Sequence, residues 1–394
     1  MKPPEISRRS GVSPFIAMDV MREAFAMERD GSQGHSVIHL EVGQPSTPAP
    51  KLVRDAAAHA LTHERLGYTD ALGLPKLRER IARHYREHYN IDLSANRVVV
   101  TSGSSGGFVL AFLACFDHGA RVAIAEPGYP AYRNILKALG LEPVGIPVGP
   151  ESRWCMTPEL VDEAERHHGP IAGVLEASPA NPTGTMLTPQ ALAALTASCA
   201  DKGRWFISDE IYHGITFGAE ETTALASSPD AVVANSFSKY YSMTGWRLGW
   251  LVVPDRLVRP MECLAQNIFI SPPALAQEAA VAAFDADEEL DANVAVYAAN
   301  RKLLLEALPD AGFDSFAPAD GAFYLYADVS RLLAKRGNID SVEFCKRMLH
   351  ETGVAATPGL DFDPLRGAQT VRFSFAGATA DMAEAAKRLK HWLV

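Results

Sequence analysis

The chain has 394 residues, of which 47% are hydrophobic and 21% charged, and its formal net charge is -10. This composition is that of a globular protein long enough for two domains, and it excludes wholesale disorder. The acidic balance argues against a nucleic-acid or anionic-membrane partner, because both would favour clustered Lys and Arg.

The sequence predicts a soluble, cytoplasmic protein. Its first residues lack the charged-then-apolar pattern of a signal peptide. No apolar run approaches the roughly 20 residues needed to cross a bilayer. The five cysteines are far apart and form no CxxC pair, so neither a zinc site nor a disulfide framework is indicated.

The N-terminal region predicts one helix and one short strand. The apolar spacing of residues 15–25 suits an amphipathic helix, which Gly31 and Gly34 would close. Residues 37–42 predict a strand that runs into a turn at Gly43.

From about Arg97 onward, strand patterns and helix patterns alternate. The segments that predict strands are 98–101, 121–125, 171–176, 205–208, 232–235 and 248–253. The segments that predict helices are 108–116, 129–139, 158–167 and 189–201. This alternation is typical of an α/β domain with a mostly parallel sheet, which binds ligands at the carboxyl ends of its strands.

A long helical pattern after Pro273 leads into a second, smaller region. Its predicted strands are 321–326, 354–356 and 371–375, and its predicted helices are 341–351 and 380–392. We therefore predict a large α/β domain over residues 46–295 and a small α+β domain made of residues 1–45 and 296–394.

The polar stretch after the apolar run 232–235 holds the strongest chemical signal. It places Lys239 close to Ser236, Ser238 and Arg247. An ammonium near a buried strand end is costly unless it is paired, neutral or covalently used. Lys239 is therefore a candidate for a Schiff base with an aldehyde cofactor whose phosphate the two serines and the arginine would hold. A surface lysine in a polar loop is the alternative.

Three further polar segments follow predicted strands. The Gly/Ser segment 102–107 opens a helix, where unpaired N–H groups can bind an anion, and an ordinary turn is the alternative. Asn181 begins an Asn-Pro turn, which proline alone can explain. Asp209 closes the strand 205–208, where a buried carboxylate invites a cationic ligand group, and a helix N-cap is the alternative.

Together these motifs resemble the fold type I, pyridoxal-phosphate-dependent aminotransferases of class I/II. The resemblance runs from about Phe15 to Val394. It is carried, in the family's order, by Gly43, Tyr68, Ser-Gly-Ser-Ser, Tyr129, Asn-Pro-Thr-Gly, Asp-x-x-Tyr, Ser-x-Ser-Lys with an arginine eight positions on, and a late Arg-Phe-Ser. It implies the family's two-domain fold, a homodimer, and transfer of an amino group from an L-amino acid to a 2-oxo acid by a ping-pong mechanism.

The resemblance also implies a role for each motif residue around the cofactor ring. Lys239 would form the Schiff base and move the substrate's α-proton. Asp209 would pair with the pyridinium nitrogen, which keeps the ring able to accept electrons. Asn181 and Tyr212 would bind the phenolic oxygen, and Tyr129 would stack on the ring.

The remaining implied contacts concern the phosphate and the substrate. The phosphate set is Ser104, Ser105, Ser236, Ser238, Arg247 and, from the neighbouring subunit, Tyr68. Arg372 would hold the substrate α-carboxylate by a bidentate pair beside Asn181, and Gly43 would leave room for it.

Other activities are possible for such a chain. The same cofactor architecture supports β-eliminating carbon–sulfur lyases, so that activity stays an alternative. A DNA-binding regulator would need a module ahead of Gly43, and a nicotinamide-dependent dehydrogenase would need the GxGxxG fingerprint, which the sequence lacks.

The substrate is predicted from one missing arginine. In the family's dicarboxylate-specific members, an arginine ahead of the position matching Arg301 reads the side-chain carboxylate, and residues 291–300 contain none. We therefore expect a neutral or aromatic amino donor, with Phe15, Ile16 and Tyr132 as pocket walls.

Two histidine pairs, His59 with His63 and His84 with His88, have the i, i+4 spacing of a helical metal site. No carboxylate or third ligand completes a recognisable pattern, so we predict that these side chains face solvent and that no metal is bound.

Overall fold

The structure, a computed structural model, describes residues 3–31 and 36–394, and Gly34 lies outside them. The helices are α1 (Ile16–Asp30), α2 (Lys51–His63), α3 (Pro75–Tyr89), α4 (Gly103–Cys115), α5 (Pro130–Ala138), α6 (Pro158–His168), α7 (Pro189–Asp201), α8 (Asp255–Ile268), α9 (Ala274–Ala280), α10 (Asp287–Ala307), α11 (Ser330–Lys335), α12 (Ser341–Thr352) and α13 (Thr379–Leu393). The strands are β1 (Ile38–His39), β2 (Val98–Thr101), β3 (Arg121–Glu126), β4 (Glu142–Pro147), β5 (Gly173–Ala177), β6 (Trp205–Asp209), β7 (Val232–Ser236), β8 (Gly249–Val252), β9 (Tyr324–Asp328), β10 (Val354–Ala355), β11 (Thr357–Pro358) and β12 (Thr370–Ser374).

Seven strands form the central sheet, in the order β2-β8-β7-β6-β5-β3-β4. The pairs from β4 to β7 are parallel, whereas β8 runs antiparallel to both β7 and β2. The predicted α/β domain with a mostly parallel sheet is therefore confirmed.

Both faces of this sheet are buried. Val98 and Val100 of β2 belong to one apolar core, whereas Val99 between them belongs to the core on the opposite face. Because side chains alternate across a strand, a strand with two buried faces needs an uninterrupted apolar run. This requirement explains why the predicted strands match the observed ones closely.

Helices α2, α3 and α8 were not predicted, and β4 and α4 also differ from the predictions. The edge strand β4 was not predicted, because Pro143, Gly145 and Pro147 lie within it; an edge strand tolerates proline where a central strand does not. Helix α4 begins at Gly103 and not at Phe108, so Ser104 and Ser105 belong to its first turn.

A separate apolar core, smaller than the two cores of the central sheet together, surrounds the antiparallel sheet β11-β12-β9. The N-terminal strand β1 pairs in parallel with β10, so the start of the chain packs beside this C-terminal region. Strand β1 is only two residues long, shorter than the predicted strand 37–42, and Gly31 ends α1 as predicted. The domain boundaries at residues 46 and 295 stay a prediction.

Within the described residues, no group of His, Cys, Asp and Glu is arranged to hold a metal ion, and no helix is long and apolar enough to cross a membrane. His59, His63 and His88 are exposed. The prediction is wrong for His84, whose half-buried ring lies 5.2 Å from that of Phe284. Burial there lowers the pKa of His84 to about 3.

Candidate active site

A cavity of about 430 Å³ lies where the carboxyl ends of the parallel strands face the smaller core. Strand β6 ends at Asp209, and β7 leads into Ser238 and Lys239. Helix α4 begins beside them. This is the edge at which open α/β sheets bind ligands.

Lys239 extends its amino group into this cavity. Its Nζ donates a hydrogen bond to the Gly43 carbonyl oxygen at 2.5 Å, and the ring of Tyr212 lies 5.7 Å away. Burial lowers the pKa of Lys239 to about 8, with further lowering by Arg372 and Arg247. The neutral amine, which a nucleophile or proton acceptor requires, is therefore much more accessible near pH 7 than in an ordinary lysine, although the protonated form still predominates.

Asp209 is a buried carboxylate without a cationic hydrogen-bond partner in the described chain. Its Oδ1 accepts from the Ile211 amide at 3.1 Å, and its Oδ2 accepts from the Tyr132 hydroxyl. Burial raises the pKa of Asp209 to about 6, and these two hydrogen bonds oppose that rise. The carboxylate is thus suited to a protonated ring nitrogen, which would supply the missing positive charge.

Arg372, on β12, is a buried guanidinium held in one orientation. Its Nη1 donates to Asn181 Oδ1 at 2.9 Å, and its Nη2 donates to the Glu41 carbonyl oxygen at 2.5 Å. Its Nε has no hydrogen-bond partner in the described part of the chain. The guanidinium also lies over the Tyr324 ring, 4.4 Å from its centroid. Such a fixed, planar donor group is well suited to a carboxylate.

The Tyr324 hydroxyl lies close to both Tyr212 and Gly43. It lies 2.7 Å from the Tyr212 hydroxyl, within hydrogen-bond distance. A Cβ atom at Gly43 would overlap the Tyr324 hydroxyl. Glycine is therefore required at position 43 to admit this tyrosine, a reason that sequence analysis did not identify.

One end of the cavity is rich in hydrogen-bond donors. Ser104 and Ser105 lie in the first turn of α4, where amide groups lack intrahelical partners, and Ser238 lies opposite. Arg247 reaches this turn because Gly103 has no side chain; a Cβ there would overlap the guanidinium. Amides, hydroxyls and a guanidinium together form a donor set suited to a phosphate.

Most of the predicted site residues come together around this cavity. Those that line it are Gly43, Ser104, Ser105, Tyr129, Asn181, Asp209, Tyr212, Ser238, Lys239, Arg247 and Arg372.

Two predicted residues do not line the cavity. Ser236 lies behind Ser238 and donates to its Oγ at 2.9 Å. Tyr68 is 85% exposed and lines a separate surface depression.

Of the three predicted pocket walls, Phe15 and Tyr132 line the cavity and Ile16 does not. The helix α1 begins at Ile16, so its first turn presents Ala17 and Met18 instead.

Sequence analysis missed the hydroxyl contacts of Tyr132 and Tyr324. Tyr132 lies in the first turn of α5, three residues after Tyr129, which directly precedes this helix, so its closeness in sequence to a predicted site residue was an available signal. Tyr324 lies within the predicted strand 321–326, but nothing local indicates that its hydroxyl contacts a residue 112 positions away.

The cavity thus combines a buried amine, a buried carboxylate and a buried guanidinium, which are groups that can bind an aldehyde, a protonated ring nitrogen and a carboxylate. Residues 35–389 match the family model for aminotransferase class I and II. The chain therefore belongs to the class I and II aminotransferases, which are pyridoxal-phosphate-dependent enzymes that act on amino acids and 2-oxo acids.

Individual relatives agree with this assignment. A valine–pyruvate aminotransferase from Mycobacterium tuberculosis is 52% identical over 98% of both chains. An aspartate aminotransferase from Sulfurisphaera tokodaii is 30% identical over 98% of this chain and 95% of its own length. The crystal structure of an aminotransferase from Mycobacterium tuberculosis aligns with a TM-score of 0.95 at 51% identity, covering 99% of each chain. The predicted fold type and enzyme class are thereby confirmed.

The first prediction concerns Tyr132→Phe, which removes the hydroxyl donor to Asp209. That hydrogen bond lowers the pKa of Asp209, so its loss raises the pKa further above about 6. Because the ionised carboxylate is the form that pairs with a protonated ring nitrogen, we expect activity to be lost at a higher pH as the solution is acidified. The acid limb of the kcat/KM profile should shift upward by about one pH unit. Tyr326→Phe, which removes a buried hydroxyl contact with Thr370, is the control and should leave the profile in place.

The second prediction concerns Tyr324→Phe, which removes the hydroxyl contact with Tyr212 and keeps the ring over Arg372. A neutral hydrogen bond contributes about 1 kcal/mol, so kcat/KM should fall roughly 5-fold. In a double-mutant cycle, Tyr324→Phe should cost little further activity in a Tyr212→Phe background, because the bond that it removes is already absent there. Fully additive losses would show that the two hydroxyls act independently.

Proposed function

We propose that this aminotransferase moves the amino group of a neutral or aromatic L-amino acid to a 2-oxo acid, in a ping-pong cycle through a Schiff base at Lys239. The observation that carries the proposal is the position of Lys239 Nζ, in one cavity with Asp209 and Arg372.

The cofactor and the chain divide the chemistry between them. Pyridoxal phosphate supplies an aldehyde that binds an amine and a ring that accepts the electrons left at the substrate α-carbon. Asp209 would hold the ring nitrogen protonated, since its buried charge lacks a cation. Tyr129 would lie against the ring, because it lines the same cavity.

Asn181 and Tyr212 would hold the phenolic oxygen. The side-chain oxygen of Asn181 already accepts from Arg372, which leaves its NH₂ group to donate into the cavity. The Tyr212 hydroxyl is oriented by Tyr324. A donor at this oxygen favours its ionised form and so tunes the reactivity of the Schiff base.

Ser104, Ser105, Ser238 and Arg247 would hold the phosphate at the donor-rich end of the cavity. Ser236 would support this set by its hydrogen bond to Ser238.

Tyr68 would reach the phosphate of a second subunit, a role that fits its exposure of 85% in the single chain. A homodimer with shared sites is therefore part of the proposal.

Lys239 would also move the substrate proton. With its lowered pKa, its amino group would take the α-proton of the bound substrate and return it. Among the described residues that line the cavity, Arg372 is the one that the proposal assigns to an α-carboxylate, so the amino acid and the 2-oxo acid would bind in turn. This single carboxylate site supports the ping-pong order.

The charges that line the cavity support a donor without a side-chain carboxylate. Among the described residues, its cationic lining consists of Lys239, Arg247 and Arg372, and the proposal already assigns all three. The outer wall contains Phe15 and Met18, which are apolar. The relative that is 52% identical is by name a valine–pyruvate enzyme, which also favours a neutral donor.

The third prediction tests the lysine. With wild-type protein and pyridoxal phosphate, we expect a visible absorption band that is lost on adding valine and returns on adding pyruvate. Lys239→Ala should bind the cofactor without this cycle and lose at least about 1,000-fold in turnover, because no amine remains to move the proton. Lys202→Ala, which removes a surface amine paired with Asp162, is the matched control and should behave as wild type. Full turnover by Lys239→Ala would refute the assignment.

The fourth prediction tests the donor. In a panel of alanine, valine, phenylalanine, methionine and aspartate, we expect kcat/KM for the best neutral donor to exceed that for aspartate at least 100-fold, because an unpaired buried carboxylate costs several kcal/mol. A preference for aspartate would contradict the proposed substrate class. Release of ammonia and pyruvate from cysteine-type donors, in place of amine transfer, would favour the β-eliminating lyase.

A further inference from the structure

The helix α1 begins without a side-chain cap from its own neighbourhood. The residue before it, Phe15, provides no capping oxygen. Instead, the Asp361 carboxylate accepts from the Ile16 amide at 2.9 Å and from the Ala17 amide at 3.1 Å. A residue from the far end of the chain thus satisfies two of the unpaired amides of this helix, and its negative charge suits the positive end of the helix dipole.

This capped end of α1 forms one wall of the cavity. Phe15, Ala17 and Met18 line it, and the Phe15 ring meets the Tyr129 ring edge-on at 5.8 Å. Ala17 is buried, but Met18 is 47% exposed, so packing fixes only part of this wall. The position of the wall therefore depends on the cap as well.

Asp361 is itself held in a rigid turn, Gly359–Asp361. A Cβ atom at Gly359 would overlap Thr370 and the backbone of Gly367, so the turn has no space to shift. Asp361 is 3% exposed. Its carboxylate therefore holds the start of α1 in one position relative to this turn.

The same turn is tied to two other parts of the cavity. It follows β11, whose Thr357 is the register partner of Arg372 on β12. The carbonyl oxygen of Phe362, the next residue in the turn, accepts from the Gly128 amide at 3.1 Å, directly before Tyr129. One short segment thus connects the α1 wall, the arginine and the aromatic ring of the cavity.

We propose that Asp361 is a positioning residue that sets the distance between the α1 wall and Arg372, and thereby determines which donor side chains fit. It acts through α1 and does not touch the substrate. Arg372 fixes the α-carboxylate, so a displaced wall changes the space for a branched or aromatic side chain and leaves the space for a methyl group almost unchanged. The inference rests on the proposed donor site and adds a determinant of its selectivity.

The test compares Asp361→Asn and Asp361→Ala holoenzymes with wild type, using alanine, valine and phenylalanine as donors. Asn keeps the shape and one acceptor oxygen, whereas Ala removes both bonds to α1. We expect KM for valine and phenylalanine to rise about 5- to 30-fold in Asp361→Ala and less in Asp361→Asn, the range that follows from loss of a helix cap. KM for alanine should change less than about 2-fold, and kcat should change less than KM.

Asp363→Asn is the matched control. Asp363 is 2% exposed and accepts from the Leu365 and Arg366 amides, so it makes the same kind of bonds two residues away without reaching α1. It should leave the valine-to-alanine ratio of kcat/KM at the wild-type value, even if the protein melts at a lower temperature.

The valine-to-alanine ratio decides the outcome. An unchanged ratio in Asp361→Asn and Asp361→Ala, or an equal loss for every donor, overturns the proposal, since a merely structural role lowers all activities together. If Asp361→Ala does not fold, the near-isosteric Asn variant alone gives the ratio. A wild-type preference for aspartate would overturn the proposed donor class, while the variants would still report on the positioning role through valine and alanine.

Discussion

The structure depends on keeping an amine, a carboxylate and a guanidinium buried within one cavity. Isolated charges are costly to bury, and here the cost is reduced by their opposite signs and by hydrogen bonds. Opposing effects set the pKa of Lys239: burial and two arginines lower it, whereas Asp209 raises it. Burial correspondingly raises the pKa of Asp209. Both groups are thus brought to pKa values near neutrality, where protons can be exchanged readily.

The fold explains why these groups meet at one edge. The central sheet is apolar on both faces, so polar side chains can be placed beside it only where strands end. Asp209 ends β6, and Lys239 follows β7, which is its parallel neighbour. The smaller core then adds Arg372 and Tyr324 from two paired strands. The cavity is therefore assembled from the central sheet and the smaller core, and neither alone contains all of its charged groups.

Prediction from the amino-acid sequence succeeds where one local segment carries the information. The buried strands gave uninterrupted apolar runs, and the residues around Lys239 lie within a few positions of each other. It fails where contacts span the chain: Tyr132 and Asp209 are 77 positions apart, and Ile16 and Asp361 are 345 apart. Residue pairs so far apart along the chain produce no periodic pattern in the sequence. Ile16 was wrongly placed in the cavity because the exact starting residue of a helix decides which side chain points inward.

Because Gly43 and Tyr324 approach each other closely, the residue at either position restricts which residues the other position can hold. The Gly43 carbonyl accepts from Lys239, while its Cα leaves only enough space for the tyrosine hydroxyl. Any side chain at position 43 would displace that hydroxyl and, with it, the contact to Tyr212. Phenylalanine at position 324 would leave part of this restriction, because a Cβ atom at Gly43 would also lie 2.8 Å from Cζ of the Tyr324 ring. In a lineage of such enzymes, a smaller side chain at position 324 or a shift of this ring must therefore accompany any departure from glycine at position 43.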